Sequence, residues 1–306
     1  MLYIVGYWHL FNYTDAFPDY RNSYTSKLTL IVLGLFVFIS GFLLGCKAEK
    51  SSSLLNFYKK RLARIYPLYV LAVILFYLLG INDGLTSFKS MFFISMYYGP
   101  SPRTLWFVTM LMLFYLATPL FLKLLAKPLN YLMFVIALFA VTFALGITFK
   151  TVDYRILLYL PCFCVGIYSS HYGFKTRVVN FKSALLLFCV YLILSFFDEV
   201  DSWIFNHLIK AIPMILSCSY LIFLIIYLNE DRFKSLKIIS MLSYSSYAMY
   251  LFHRPIYKTL KALYFPESAQ FQVLYLITIG LVMVFFISWG LQKLYDTGCV
   301  LLSKTN

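Results

Sequence analysis

Charge is scarce in this sequence, and negative charge scarcest of all. Only 12% of its 306 residues are charged, and 12 Asp and Glu face 26 Lys and Arg. A soluble domain carries about 25% charged residues. With 62% hydrophobic residues and a mean hydropathy of +0.80, the chain is not a soluble protein. No two acids pair within an apolar run, which speaks against carboxylate-pair catalysis and against proton-coupled transport through buried acids. The six cysteines, Cys46, Cys162, Cys164, Cys189, Cys218 and Cys299, show no CxxC spacing. They are expected to be small buried apolar side chains, and no metal site is expected. Also missing are a Gly-rich phosphate loop, a readable Ser-His-Asp order, a low-complexity linker and a long polar insert, and no cleavable signal peptide is expected. The net charge of +14 comes without interleaved groove-reading residues, so nucleic acid is not an expected partner.

Long apolar runs are what the sequence has instead. Ten segments follow one another: 1–11, 28–46, 65–80, 105–122, 129–149, 156–168, 184–197, 211–228, 238–257 and 273–294. About 20 apolar residues cross a bilayer, so most of these are spans. Connections are short. The expected fold is therefore an all-α membrane protein, a polytopic bundle of about ten transmembrane helices forming one domain over 1–306. Residues 88–98 are mixed and are expected to dip into the interface. The first segment is short. Eight residues precede His9, about 12 Å of helix. A hydrocarbon core of ~30 Å needs more, so a truncated first helix with a start further upstream is expected.

Lys and Arg set the orientation. With both termini cytoplasmic, 16 of the 26 fall on the inner side: Lys47, Lys50, Lys59, Lys60, Arg61, Arg64, Lys123, Lys127, Lys175, Arg177, Lys182, Arg232, Lys234, Lys237, Lys293 and Lys304. Acidic Asp198, Glu199 and Asp201 fall outside. The densest basic stretch is 57–67, between two apolar runs. If Lys60–Arg64 is helical, Lys60 and Arg64 share a face, as do Arg61 and Arg64. Such a face either anchors topology against lipid headgroups or grips the phosphates of a ligand. Pro67 is expected to open the span that follows.

Few side chains in the apolar runs can do chemistry. His9, in Tyr-Trp-His-Leu-Phe, is either an interfacial histidine or a general base. His253 lies deep in a run that Pro255 kinks, and Ser243 with Tyr247 presents polar groups one turn apart. These groups either line a cavity or bond helix to helix. Ser40-Gly41 permits close helix approach, and Trp106 reads first as an interfacial anchor. His171 and His207 are expected to be exposed.

Together these stretches resemble the acyltransferase 3 family of integral-membrane acyltransferases. Residues 36–42, ending Ile-Ser-Gly-Phe, are similar to its second-helix signature. The basic run 57–67 resembles its F-x-x-[KR]-R-x-x-R-I-x-P segment. Leu105-Trp106-Phe107 with Phe114-Tyr115-Leu116 and Pro119, then Leu160-Pro161-Cys162-Phe163 with Gly166-Ile167, resemble its middle segments. Residues 243–255 resemble its late S-Y-x-x-Y-x-x-Y-L-x-H-x-P stretch.

The resemblance implies transfer of an acyl group, usually acetyl, from acyl-CoA to a carbohydrate hydroxyl, often of a surface polysaccharide or its lipid-linked precursor. It implies His9 as the catalytic residue and Lys60, Arg61 and Arg64 as the acyl-CoA-binding segment. Ser40, Trp106, Ser243, Tyr247 and His253 would line the site. The expected location is a bacterial cytoplasmic membrane, multi-pass. Partners would be acyl-CoA, a carbohydrate acceptor and the bilayer. The chain departs from the family in two ways. The family's Arg upstream of the catalytic His would fall before Met1, and Met110 with apolar neighbours stands where one subset has an acid. A carrier for lipid-linked glycans, or a degenerate acyltransferase, are the alternatives.

Overall fold

A computed structural model describes residues 1–14, 16–46, 53–174, 176, 179–197, 202–229 and 237–304, with backbone only at 300–304. Lys47, Lys50, Lys175, Arg177, Arg232, Lys234, Asp198, Glu199 and Asp201 lie outside the described residues. The structure is all-helical, and no strand occurs among the described residues. A π-helical turn, Ile4–Trp8, comes first. Then come α1 (Ser23–Gly45), α2 (Leu54–Leu78), α3 (Gly84–Met91), α4 (Trp106–Leu124), α5 (Pro128–Phe149) and α6 (Arg155–Tyr172). The remainder is α7 (Phe181–Ser195), α8 (Ala211–Leu228), α9 (Lys237–Leu263), α10 (Ala269–Tyr275) and α11 (Leu281–Lys304).

Six stretches are long and apolar enough to cross a membrane: Ser23–Gly45, Leu54–Leu78, Trp106–Leu124, Pro128–Phe149, Phe205–Leu228 and Ala269–Cys299. The chain is a multi-pass membrane protein. Local chemistry sets the helix ends. Pro128 opens α5, where a missing N–H costs nothing, and Asn180 with Ser183 forms a capping box on α7. Two expectations are corrected. Pro67 does not open a span: it lies well inside α2, which starts at Leu54 and carries the whole basic cluster as helix. A bilayer tolerates such a proline because neighbouring groups take up the backbone groups it disturbs. Nor are all cysteines buried. Cys46, Cys189 and Cys299 are exposed, since an apolar side chain in a membrane is as well placed facing lipid as facing protein.

The chain divides into two compact units. The first comprises Met1–Thr29, Ile65–Ser87 and Glu230–Asn306; the second, Leu30–Arg64 and Phe88–Asn229. In the first, hydrogen bonds pin the N-terminal turn. The Tyr3 hydroxyl donates to the Thr25 carbonyl (3.0 Å) and Tyr257 to the Val5 carbonyl (3.2 Å). Tyr247 donates to the Ile65 carbonyl (2.8 Å), joining α9 to α2. In the second unit, α1 and α6 meet backbone to backbone. A Cβ on Gly41 would lie 2.2 Å from the Phe163 carbonyl oxygen, and one on Gly166 would lie 2.3 Å from that of Phe38. No larger residue fits either position, so Ser40-Gly41 is indeed a close-approach pair.

Candidate functional site

The first unit gathers its chemistry around two histidines. His9 ends the N-terminal turn, its backbone N–H bonded to the Ile4 carbonyl (2.9 Å), and its side chain is 8% exposed. His253 comes from the middle of α9 and is 0% exposed. Their rings stack with centroids 4.9 Å apart and planes inclined by 28°. Arg254, next in the chain to His253, directs a guanidinium nitrogen to His9 Nδ1 at 3.2 Å. Asn12, three residues after His9 and so on its side of the turn, brings Nδ2 to the same atom at 3.5 Å. The Asn12 side-chain oxygen accepts from Tyr20 (2.5 Å) and from Arg21. Arg21 also lies over the Trp8 ring, 5.3 Å from its centroid. The second His253 contact set is to backbone: its Nδ1 is 2.8 Å from the Tyr250 carbonyl and 3.1 Å from that of Met249.

Other expected site residues fall elsewhere on the same helix. Tyr247 is half-buried and spends its hydroxyl on Ile65; Ser243, one turn before it, is exposed.

The second unit assembles a cationic group. Helix α2 sets Arg61 and Arg64 on one face, with Lys60 exposed beside them. Tyr115 of α4 lies near Ser40 of α1 and near Arg61 and Arg64 of α2. Arg61 also rests on the Phe57 ring at 5.7 Å. Tyr58 donates to the Leu116 carbonyl (2.8 Å), which holds this end of α2 against α4.

Trp106 has different company. Its ring stacks on Tyr159 (6.2 Å), and the Arg155 guanidinium sits 4.0 Å from its centroid. Arg155 is ion-paired to Asp153, which also accepts from Ser101. Burial raises the Asp153 carboxyl, but the bonds from Arg155 and Ser101 outweigh it and hold the group below its usual value. The folded form thus binds its proton less readily than the unfolded chain. That stabilisation is present above the ordinary carboxylate range, near pH 4, and is lost as pH falls through the lower folded value. Asp153→Asn should cost about 1–3 kcal/mol at pH 7 and progressively less as pH falls below about 4, read as thermal denaturation in detergent.

His171 and His207 are exposed, as expected from their positions. Among the described residues no group of three or more His, Cys, Asp or Glu gathers as a metal would require.

Residues 1–293 match the acyltransferase 3 family model, described as an acyltransferase domain. The chain belongs to the acyltransferase 3 family. No curated protein and no solved structure matches it. As a member of this family it is a membrane acyltransferase. In this acyltransferase, sequence reasoning picked His9 and His253 singly. It assigned no role to Arg254, Asn12, Tyr20 or Arg21, and held Tyr115 only as part of the family's middle segment. The signal for Asn12 was spacing, at i+3 from His9.

Proposed function

We infer that the protein moves an acetyl group from acetyl-CoA to a carbohydrate hydroxyl, in a cell-surface polysaccharide or its lipid-linked precursor. The stacked pair of His9 and His253, with Arg254 on His9, is the observation that carries this reading. The acceptor oxygen attacks the thioester carbonyl. A C–O bond forms, the C–S bond breaks, and the hydroxyl proton passes through an imidazole to the departing thiolate. His9 is the catalytic residue that meets the reacting group. Arg61 and Arg64, with Lys60, hold the CoA phosphates; guanidinium forks suit phosphate oxygens. The setting is a bacterial cytoplasmic membrane, with both termini inside.

Native membranes given labelled acetyl-CoA should pass the label to their own glycans, and label that stays with CoA would end this reading. Joint replacement of Arg61 and Arg64 by alanine should raise KM for acetyl-CoA by roughly 10–100-fold with kcat little changed. Steady-state kinetics on purified protein would check this, and an unchanged KM would remove the pair from the CoA site.

A further inference from the structure

The two imidazoles are not equivalent, and the difference assigns them separate tasks within the acyl transfer inferred above. In His253, Nδ1 faces the carbonyl oxygens of Tyr250 and Met249 at 2.8 and 3.1 Å. Carbonyl oxygens only accept, so Nδ1 carries the proton and Nε2 is a bare lone pair. That Nε2 is buried and meets no hydrogen-bond partner among the described residues. An unmet buried acceptor is destabilising, and such a cost calls for a reason.

His9 is the reverse case. Its Nδ1 faces an Arg254 nitrogen and Asn12 Nδ2. Arginine has no acceptor to offer. The Asn12 amide is fixed in orientation, because its oxygen already takes the Tyr20 and Arg21 donors. His9 Nδ1 must therefore accept, which leaves the proton on Nε2. A ring held this way cannot use Nε2 as a base. It can use it as a donor.

We propose that His253 is a second catalytic residue, whose Nε2 takes the proton from the acceptor hydroxyl while His9 Nε2–H donates to the thioester carbonyl oxygen. The acceptor O–H bond breaks as its oxygen bonds to the acyl carbon. The C–S electron pair leaves on sulfur, and His253 passes its proton to that thiolate. Arg254 is a positioning residue: it fixes the His9 tautomer. With ring centroids 4.9 Å apart, the two imidazoles are close enough to serve one reacting group.

The test compares two acceptors. An alcohol needs its proton removed, whereas hydroxylamine is a neutral nucleophile that attacks without a base. His253→Asn keeps an N–H for the Tyr250 carbonyl and deletes the Nε2 lone pair. With labelled acetyl-CoA and native membranes, it should lower transfer to glycan hydroxyls by at least about 100-fold. Transfer to hydroxylamine, counted above the uncatalysed rate with membranes lacking the protein, should stay close to wild type. Equal losses with both acceptors, or no loss with either, would overturn the assignment. Wild-type membranes that acetylate neither acceptor faster than membranes lacking the protein would instead sink the acyl-transfer reading, and the base with it. His253→Gln, measured the same way, decides the matter should the asparagine variant fail to accumulate.

Discussion

Alanine in place of His9 is expected to cut acetyl transfer from acetyl-CoA by at least about 100-fold, with the protein still present in the membrane. Removing one positioned donor to a developing oxyanion costs ~10²–10³ in rate, and removing a general base costs a similar factor. The side chain is 8% exposed and lies against His253, so no solvent group stands ready to replace it. Glutamine tells the two roles apart. It restores an N–H near the Nε2 position but supplies no base, so His9→Gln should recover part of the rate if His9 donates. Initial rates at saturating acetyl-CoA would read both variants. A wild-type rate in His9→Ala would remove this residue from the reaction.

The second large effect concerns folding. Gly166→Val should leave little folded protein, and Gly41→Val likewise. Helices α1 and α6 touch through these glycines, with added Cβ atoms falling 2.2 and 2.3 Å from opposing carbonyl oxygens. The atoms in the way are backbone, which cannot step aside as a flexible side chain would. Overpacking costs roughly 1–3 kcal/mol even in adaptable cores. Here the two helices must separate. In a bilayer their association rests on close van der Waals contact, because lipid is as apolar as the partner helix. Gly290 is the control: a Cβ there meets nothing within 4 Å. Gly290→Ala should hold or slightly raise stability, as alanine is the better helix former by about 1 kcal/mol. Yield after detergent extraction and the midpoint of thermal unfolding would separate the three variants. Normal yield from Gly166→Val would mean that α1 and α6 do not meet as described.

Much of this was legible in the primary structure. All ten apolar segments became helical, since a long uncharged run in lipid can only satisfy its backbone internally. The short first segment stayed short, as the five-residue turn Ile4–Trp8. The small pair Ser40-Gly41 signalled a close crossing. Pro67 misled, because its ring reads as a helix start in water, while α2 carries it in mid-course. Trp106 read as an anchor, and its cation–π contact with Arg155 fits that reading, though its neighbours came from a different helix.

The order of residues by itself determined that the chain is helical, lies in a membrane, belongs to its family and carries a basic face at 60–64. Composition and run length suffice for that, because the bilayer imposes one length and one way of satisfying the backbone. Only the tertiary structure decided that Arg254 would close on His9, that His253 would stack beside it, and that Tyr115 would lie near Ser40 and two arginines. Helical periodicity says which side chains share a face. It does not say which face of a distant helix will lie opposite, and positions 9 and 254 are almost the whole chain apart.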